Sequence, residues 1–337
     1  MSNQKLPEVD ILRIISILIV VIAIHIPLSY AYNFYLDLDQ FGVFLVNNVG
    51  IFAAMGSFVF VSGFGLYLNP NNRNLDSSKK VLAFLKKRFL RIFPLYWVAI
   101  LLFLFFIGYL TMDPIYIISH FFGMQIIVAP YFGPPMLTLW FIGIIVIYYL
   151  IYVVLNLLRS IKWIIPTSIA ILFFFVLLNG LFGLVENRFF LYYSLFILGI
   201  IMAHLYTSER YTRMKERLKE IRPGLRLLIP LCTAILSLIV FILLTLFCYS
   251  SFISEFGTPN LGLILELGPN FFELTSVIFQ INLIIVFFLS FAISLFNFFF
   301  RASRYIFSKR KIEKQYQRQP ILRTVFTCST ESFWLSL

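Results

Sequence analysis

Residues 8–25, EVDILRIISILIVVIAIH, place an acid and an arginine, Asp10 and Arg13, at the head of an apolar run with a histidine, His25, near its far end. A helix needs about 20 mostly apolar residues to cross a bilayer, and this run supplies most of them. An ionisable side chain at membrane depth is costly, faces the bundle interior and marks a functional position by default. His25 is therefore the first place to look for chemistry.

Runs of the same kind recur along the chain, which is 61% hydrophobic and 12% charged over 337 residues. Spans are expected near 11–30, 43–68, 91–111, 138–158, 163–182, 189–206, 227–249 and 274–300, with a ninth apolar stretch starting near 321. The fold class is all-α: a polytopic transmembrane bundle of about eight or nine spans, read as one integral membrane domain over 1–337. Repeated spans argue against a cleaved signal peptide at the start. Phe is abundant, with 41 copies, but does not alternate with polar residues in strand-length units, which argues against a β-barrel. Cys232, Cys248 and Cys328 are scattered and suggest neither a disulfide framework nor a metal site, so buried free thiols are expected.

The charges fix the orientation. Of the 27 basic residues, all but Arg188 fall at the N-terminus or in the connections near 69–91, 158–163, 207–226 and 301–323. The alternate connections carry Asp37, Asp39, Asp113, Glu186, Glu255, Glu266 and Glu273. The positive-inside rule makes the basic side cytoplasmic, and with it the N-terminus of a multi-pass protein of the cell membrane. The net charge of +12 is then a topology signal with an affinity for anionic lipid, not a nucleic-acid footprint. The same count makes residues 114–130, PIYIISHFFGMQIIVAP, a re-entrant or interfacial element, since a full crossing would move every later basic loop to the other side. His120 within it reads as a histidine satisfied at the interface. No repeat of fixed period appears, and 207–226 and 301–323 read as basic surface helices or loops.

Four local patterns follow in order: Asp10, Arg13 and His25 in the first span; FVFVSGF with Ser62 and Gly63 at the inner end of the second; KKRFLRIFPLYW from Lys86, with Arg88 and Arg91, entering the third; and LTLWFIGIIVIYYL with Trp140 opening the fourth. Over roughly 7–155 these resemble the family-3 membrane acyltransferases, which move acyl groups from acyl-CoA to hydroxyls of glycans and other surface molecules. A softer resemblance runs through YYSLFILGIIMAH at 192–204. The resemblance implies acyl-CoA, with acetyl-CoA favoured, as co-substrate with no bound cofactor or metal. It implies a carbohydrate or lipid-linked glycan as acceptor, and in relatives the apolar start at 327–337 continues into further helices, so a C-terminally shortened chain is expected.

The residue chemistry is compatible with that activity. Acyl transfer to a hydroxyl needs a base near neutral pH, stabilisation of the oxyanion and a grip on the donor's phosphates. Imidazole titrates in the required range, so His25 is the candidate general base, or an acyl-carrying nucleophile, against the alternative of a neutral histidine bonded to a neighbouring helix. Asp10 and Arg13 are its candidate catalytic partners. Arg13 and His25 are twelve positions apart, ~120° on a regular helix, which a π-bulge within 14–24 would correct. Asn47 and Asn48 in the second span are candidates to orient the ring. Arg88 and Arg91, three apart on one helix face, are candidates to hold phosphate in bidentate fashion, against ordinary basic anchoring. Ser62, Gly63 and Trp140 complete the donor-binding set, with Gly63 admitting the close approach of a ligand or of a backbone. The rival function is a glycan or lipid transporter or flippase, in which the same polar residues line a pathway without covalent chemistry.

Overall fold

The computed structural model describes residues 7–20, 40–106, 113–132, 136, 139–157, 161–257 and 271–317. Among these residues every regular element is helical. Helix α1 (Pro7–Val20) leads to α2 (Ile51–Leu68), which is entered through a helical turn at Gln40–Val43 and a π-helical stretch at Phe44–Gly50. Then come α3 (Ser78–Phe106), the short α4 (Pro114–Phe121) and α5 (Gln125–Phe132), α6 (Trp140–Leu157), α7 (Ile161–Phe182) and α8 (Asn187–Thr207). The amphipathic α9 (Glu209–Glu220) precedes two long helices, α10 (Pro223–Phe256) and α11 (Phe271–Gln317).

Seven of these, α2, α3, α6, α7, α8, α10 and α11, are long and apolar enough to cross a membrane. The fold is thus the expected polytopic helical bundle. Helix α1 is described only as far as Val20, and the ninth apolar stretch lies outside the described residues. The basic segments are more helical than expected. Lys79 to Arg91 sit on α3 itself, and α11 runs past the apolar region to Gln317. Lys, Arg, Glu and Gln are good helix formers, and no Gly or Pro interrupts 301–317 to stop the helix. Pro94, Pro166 and Pro230 lie inside α3, α7 and α10 without ending them, as neighbouring groups in a bundle allow.

The non-spanning reading of 114–130 holds among the described residues. Asp113 caps α4 by accepting from the Ile115 amide at 2.7 Å, and Pro114 follows at the first helical position. Gly123, at φ +70, ends it in the left-handed conformation. Eight residues make about 12 Å of helix, too little to cross. The hairpin is tied to the 183–186 turn by Val185 and Glu186 amides donating to Ile127 and Ile126 carbonyls at 3.0 and 2.8 Å.

The core is built on α2 and α8. A Cβ at Gly63 would stand 2.3 Å from the Phe196 carbonyl oxygen, and one at Gly199 would stand 2.2 Å from that of Phe60. Without a side chain at either site the two backbones touch, the usual basis of helix association in lipid. Gly56 in turn receives Leu195 of α8 and Ile285 of α11. Ser237 and Ser290 share a hydrogen bond at 2.8 Å between α10 and α11. The periphery carries apolar side chains outward, Leu95, Phe106, Phe173 and Leu236 among them, as a lipid-facing surface must. The end of α6 lies beside the end of α2, where the Tyr152 hydroxyl donates to the Asn72 carbonyl, and the later part of α11 lies beside the start of α10, where Arg301 donates to the Arg226 carbonyl. The basic residues therefore gather at one end of the bundle, and the α4–α5 hairpin lies at the other.

Candidate functional site

At the basic end, α2 stops at Leu68 and the chain turns through Pro70–Asn72. Arg73 folds back over that stop, donating from Nε to the Tyr67 carbonyl at 2.6 Å and from a terminal nitrogen to the Leu68 carbonyl at 3.2 Å. These are two of the carbonyls that a helix end leaves unsatisfied. The Asn72 carbonyl receives both Tyr152 and Asn156 of α6, at 3.1 and 2.7 Å. The turn is thus clamped to α6. The Tyr67 hydroxyl shares a hydrogen bond with Nδ1 of His204 at 3.0 Å, and His204 lies within electrostatic range of Arg73. His204 lies inside a span, and tertiary packing brings Arg73 within that range of it from the turn after α2.

Arg88 comes to the same region from α3. Its guanidinium lies 5.5 Å from the Phe84 ring and 5.6 Å from that of Tyr149 on α6, an arrangement in which the ring faces attract the cation. Its Nε is buried without a hydrogen-bond partner among the described residues. Tyr152 packs on Phe84, the ring beneath Arg88, and bonds to Asn72, the neighbour of Arg73, so guanidiniums from two separate elements come to one region. Arg91 is exposed and does not share this setting. Helix periodicity made Arg88 and Arg91 neighbours, but α6 covers only the first.

Asp10 and Arg13 pair at 3.5 Å near the start of α1 with both side chains about half exposed, and the Arg13 guanidinium rests against Gly65 of α2. The described part of α1 is regular α-helix. His25 itself lies outside the described residues. Asn47 and Asn48 fall in the π-helical stretch Phe44–Gly50, a geometry frequent at functional sites. Ser62 is half-buried, and the atom that approaches Gly63 is the Phe196 backbone oxygen.

Trp140 is placed away from Arg73, Arg88 and Arg91. It opens α6 at the end opposite the basic cluster, nine residues before Tyr149, or ~14 Å along the helix. Its ring stacks on Tyr192 of α8 at 6.0 Å and 12°, and Tyr192 stacks on Phe52 of α2 at 6.2 Å and 19°. Arg188 lies 4.7 Å from the Trp140 ring centre and forms an ion pair with Glu186. Burial pushes the Glu186 carboxyl above the usual carboxylate range, and the Arg188 charge only partly offsets this. The sequence held one signal for this group: Arg188 is the only basic residue of the acidic connections.

His120, close by, is fully buried. Its Nδ1 bonds to the Tyr116 carbonyl at 2.8 Å, and its Nε2 accepts the Met136 amide at 3.1 Å. An amide must donate, so Nε2 carries no proton and the ring is the neutral Nδ1–H tautomer. This is the satisfied histidine that the sequence suggested. Among the described residues no group of three or more His, Cys, Asp or Glu is placed to hold a metal ion.

A family model described as an acyltransferase domain matches residues 6–311. The chain belongs to the acyltransferase-3 family. No curated protein and no solved structure matches it. Family membership makes acyl transfer the class of activity, carried by a multi-pass membrane protein, and the match takes in both the basic end and the Trp140 region.

Proposed function

We propose that the protein transfers an acetyl group from acetyl-CoA, bound at the basic end, to a hydroxyl of a carbohydrate or lipid-linked glycan at the opposite end. The observation that carries the donor assignment is the meeting of Arg73 and Arg88 in one region around Phe84 and the 70–72 turn, with Arg88 Nε buried and unpaired. A half-buried guanidinium with an unused donor is suited to a phosphate oxygen. The charge bias of the chain supports a cytoplasmic basic end, the side on which CoA donors are available, in the cell membrane.

In this reading His25 removes the acceptor's O–H proton as the oxygen attacks the thioester carbonyl. The C–S bond breaks, the acetyl group passes to the oxygen, and CoA leaves as a thiolate that takes up a proton. Asp10 and Arg13 stand near the start of α1, and Ser62 lies toward the donor's approach with Arg91 at its exposed rim, while Gly63 is taken by the Phe196 backbone. Trp140 stands in the acceptor half and not beside the donor's phosphates.

The test is acetyl transfer and acetyl-CoA hydrolysis by purified protein with radiolabelled donor, comparing wild type, His25→Ala and Arg88→Ala. Turnover that His25→Ala abolishes and that Arg88→Ala weakens through KM supports the assignment. Absence of donor binding by the wild type would refute it and bring forward a transporter.

A further inference from the structure

At the end of the bundle away from the basic cluster, a carboxylate oxygen and a phenol are both buried and both unpaired. Arg188 pairs with Oε1 of Glu186, while Oε2 has no hydrogen-bond partner among the described residues. Tyr192 is fully buried, and its hydroxyl likewise lacks a partner. The Tyr192 hydroxyl lies within electrostatic range of both Glu186 and Arg188. Leaving such a group unsatisfied is costly, so two within electrostatic range of each other need an explanation. Glu186 could have capped α8, at whose N-cap it stands, but its side chain makes no capping bond. It is turned to Arg188 instead.

The surroundings name the ligand chemistry. Trp140, Tyr192 and Phe52 form a continuous stack that fixes the Tyr192 ring, beside which a carboxylate oxygen and a phenol are left without partners among the described residues. Carbohydrate hydroxyls, which both donate and accept, offer the complement to these two atoms. Arg188, on Oε1, keeps the carboxylate in place while Oε2 stays open to a hydroxyl. We propose that Glu186 and Tyr192, held by Arg188 and Trp140, form the hydroxyl-recognition subsite for a sugar acceptor. The assignment rests on the acyl-transfer reading for its place in the reaction, while the binding it requires does not.

The test uses the full chain in lipid nanodiscs free of glycoside detergent, labelled with 5-fluorotryptophan and titrated with cellopentaose, maltopentaose and chitopentaose. The Trp140 resonance is assigned with Trp140→Phe. At least one pentasaccharide should shift the Trp140 fluorine signal saturably, and Glu186→Gln and Tyr192→Phe should each raise its Kd about tenfold. Tyr192→Phe removes a single oxygen and keeps the ring stack, so it remains informative if Glu186→Gln does not fold. No saturable shift with any of the three, or a shift that both variants leave unaltered, overturns the subsite and leaves buried water as the partner of these atoms. Acetyl-CoA binding measured on the same samples separates the two readings. Donor binding without sugar binding removes only the subsite, whereas sugar binding of the stated pattern without donor binding removes the transfer reading and keeps the subsite.

Discussion

The hydroxyl of Tyr67 and Nδ1 of His204 lie 3.0 Å apart, joining the basic ends of α2 and α8 across 137 positions of chain. Arg73 is held beside them by the main-chain carbonyl of Tyr67, not by its ring hydroxyl. Tyr67→Phe should therefore cost about 1 kcal/mol, or a Tm loss of about 1–2 °C, with the KM for acetyl-CoA unchanged. Thermal unfolding beside donor kinetics checks this. A tenfold rise in KM would mean that the hydroxyl itself touches the donor.

Arg88 and Arg91 are adjacent on one helix face, yet only Arg88 is covered by Tyr149 of α6. Arg88→Ala should weaken acetyl-CoA binding by about tenfold or more, the loss expected for a charge-assisted hydrogen bond. Arg91→Ala should change it by less than about threefold, as exposed charges do. Arg88→Lys should not restore binding, because an ammonium cannot reproduce the planar stack on two rings. Calorimetric titration with CoA distinguishes these outcomes.

Gly63 and Gly180 should respond oppositely to the same methyl group. At Gly63 it meets the Phe196 carbonyl at 2.3 Å, whereas at Gly180 nothing lies within 4 Å. Gly63→Ala should cost about 1–3 kcal/mol or block folding by prising α2 from α8. Gly180→Ala should stabilise by about 0.5–1 kcal/mol through helix propensity alone. Thermal unfolding of the two variants in one detergent makes the comparison.

His120 predicts a pH effect of defined sign. Burial lowers its pKa below the ordinary value, so the unfolded chain binds this proton more readily than the folded one. Its contribution to stability is complete above about pH 6.5, and is lost as the pH falls from there through the lower folded value. Protonation also ends the bond from the Met136 amide, since Nε2 then has no lone pair to offer. His120→Gln should be less stable at neutral pH, with a flatter pH dependence of Tm between about 6.5 and 5. An equal slope in the variant would assign the effect to another group.

Much of the fold was legible because it depends on local properties of the chain. Lys and Arg counts sorted the connections into two ends, and the same count kept 114–130, a segment apolar enough to span, from being read as a crossing. The extension of α3 and α11 into their basic segments was less visible, since charged residues that favour helix also populate surface loops. In the candidate site, Arg88 was named from the sequence, whereas Arg73, which the structure places in the same region, was not. Arg73 had appeared only as a topology charge, because nothing local connects it to Tyr152 or His204.

The sequence by itself determined that this chain is a helical membrane bundle of the acyltransferase-3 kind, with its positive charge gathered at one end. Hydropathy, charge order and short motifs are written along the chain and need no partner to be read. Only the tertiary structure decided that Gly63 admits the Phe196 backbone, that Arg73 and not Arg91 joins Arg88, and that Trp140 stands with Glu186 and Arg188. The reason is rotational. A helix that is apolar all round, as α2 is, carries no stripe to say which face turns inward. Its contacts are settled instead by which small side chains let another backbone come close.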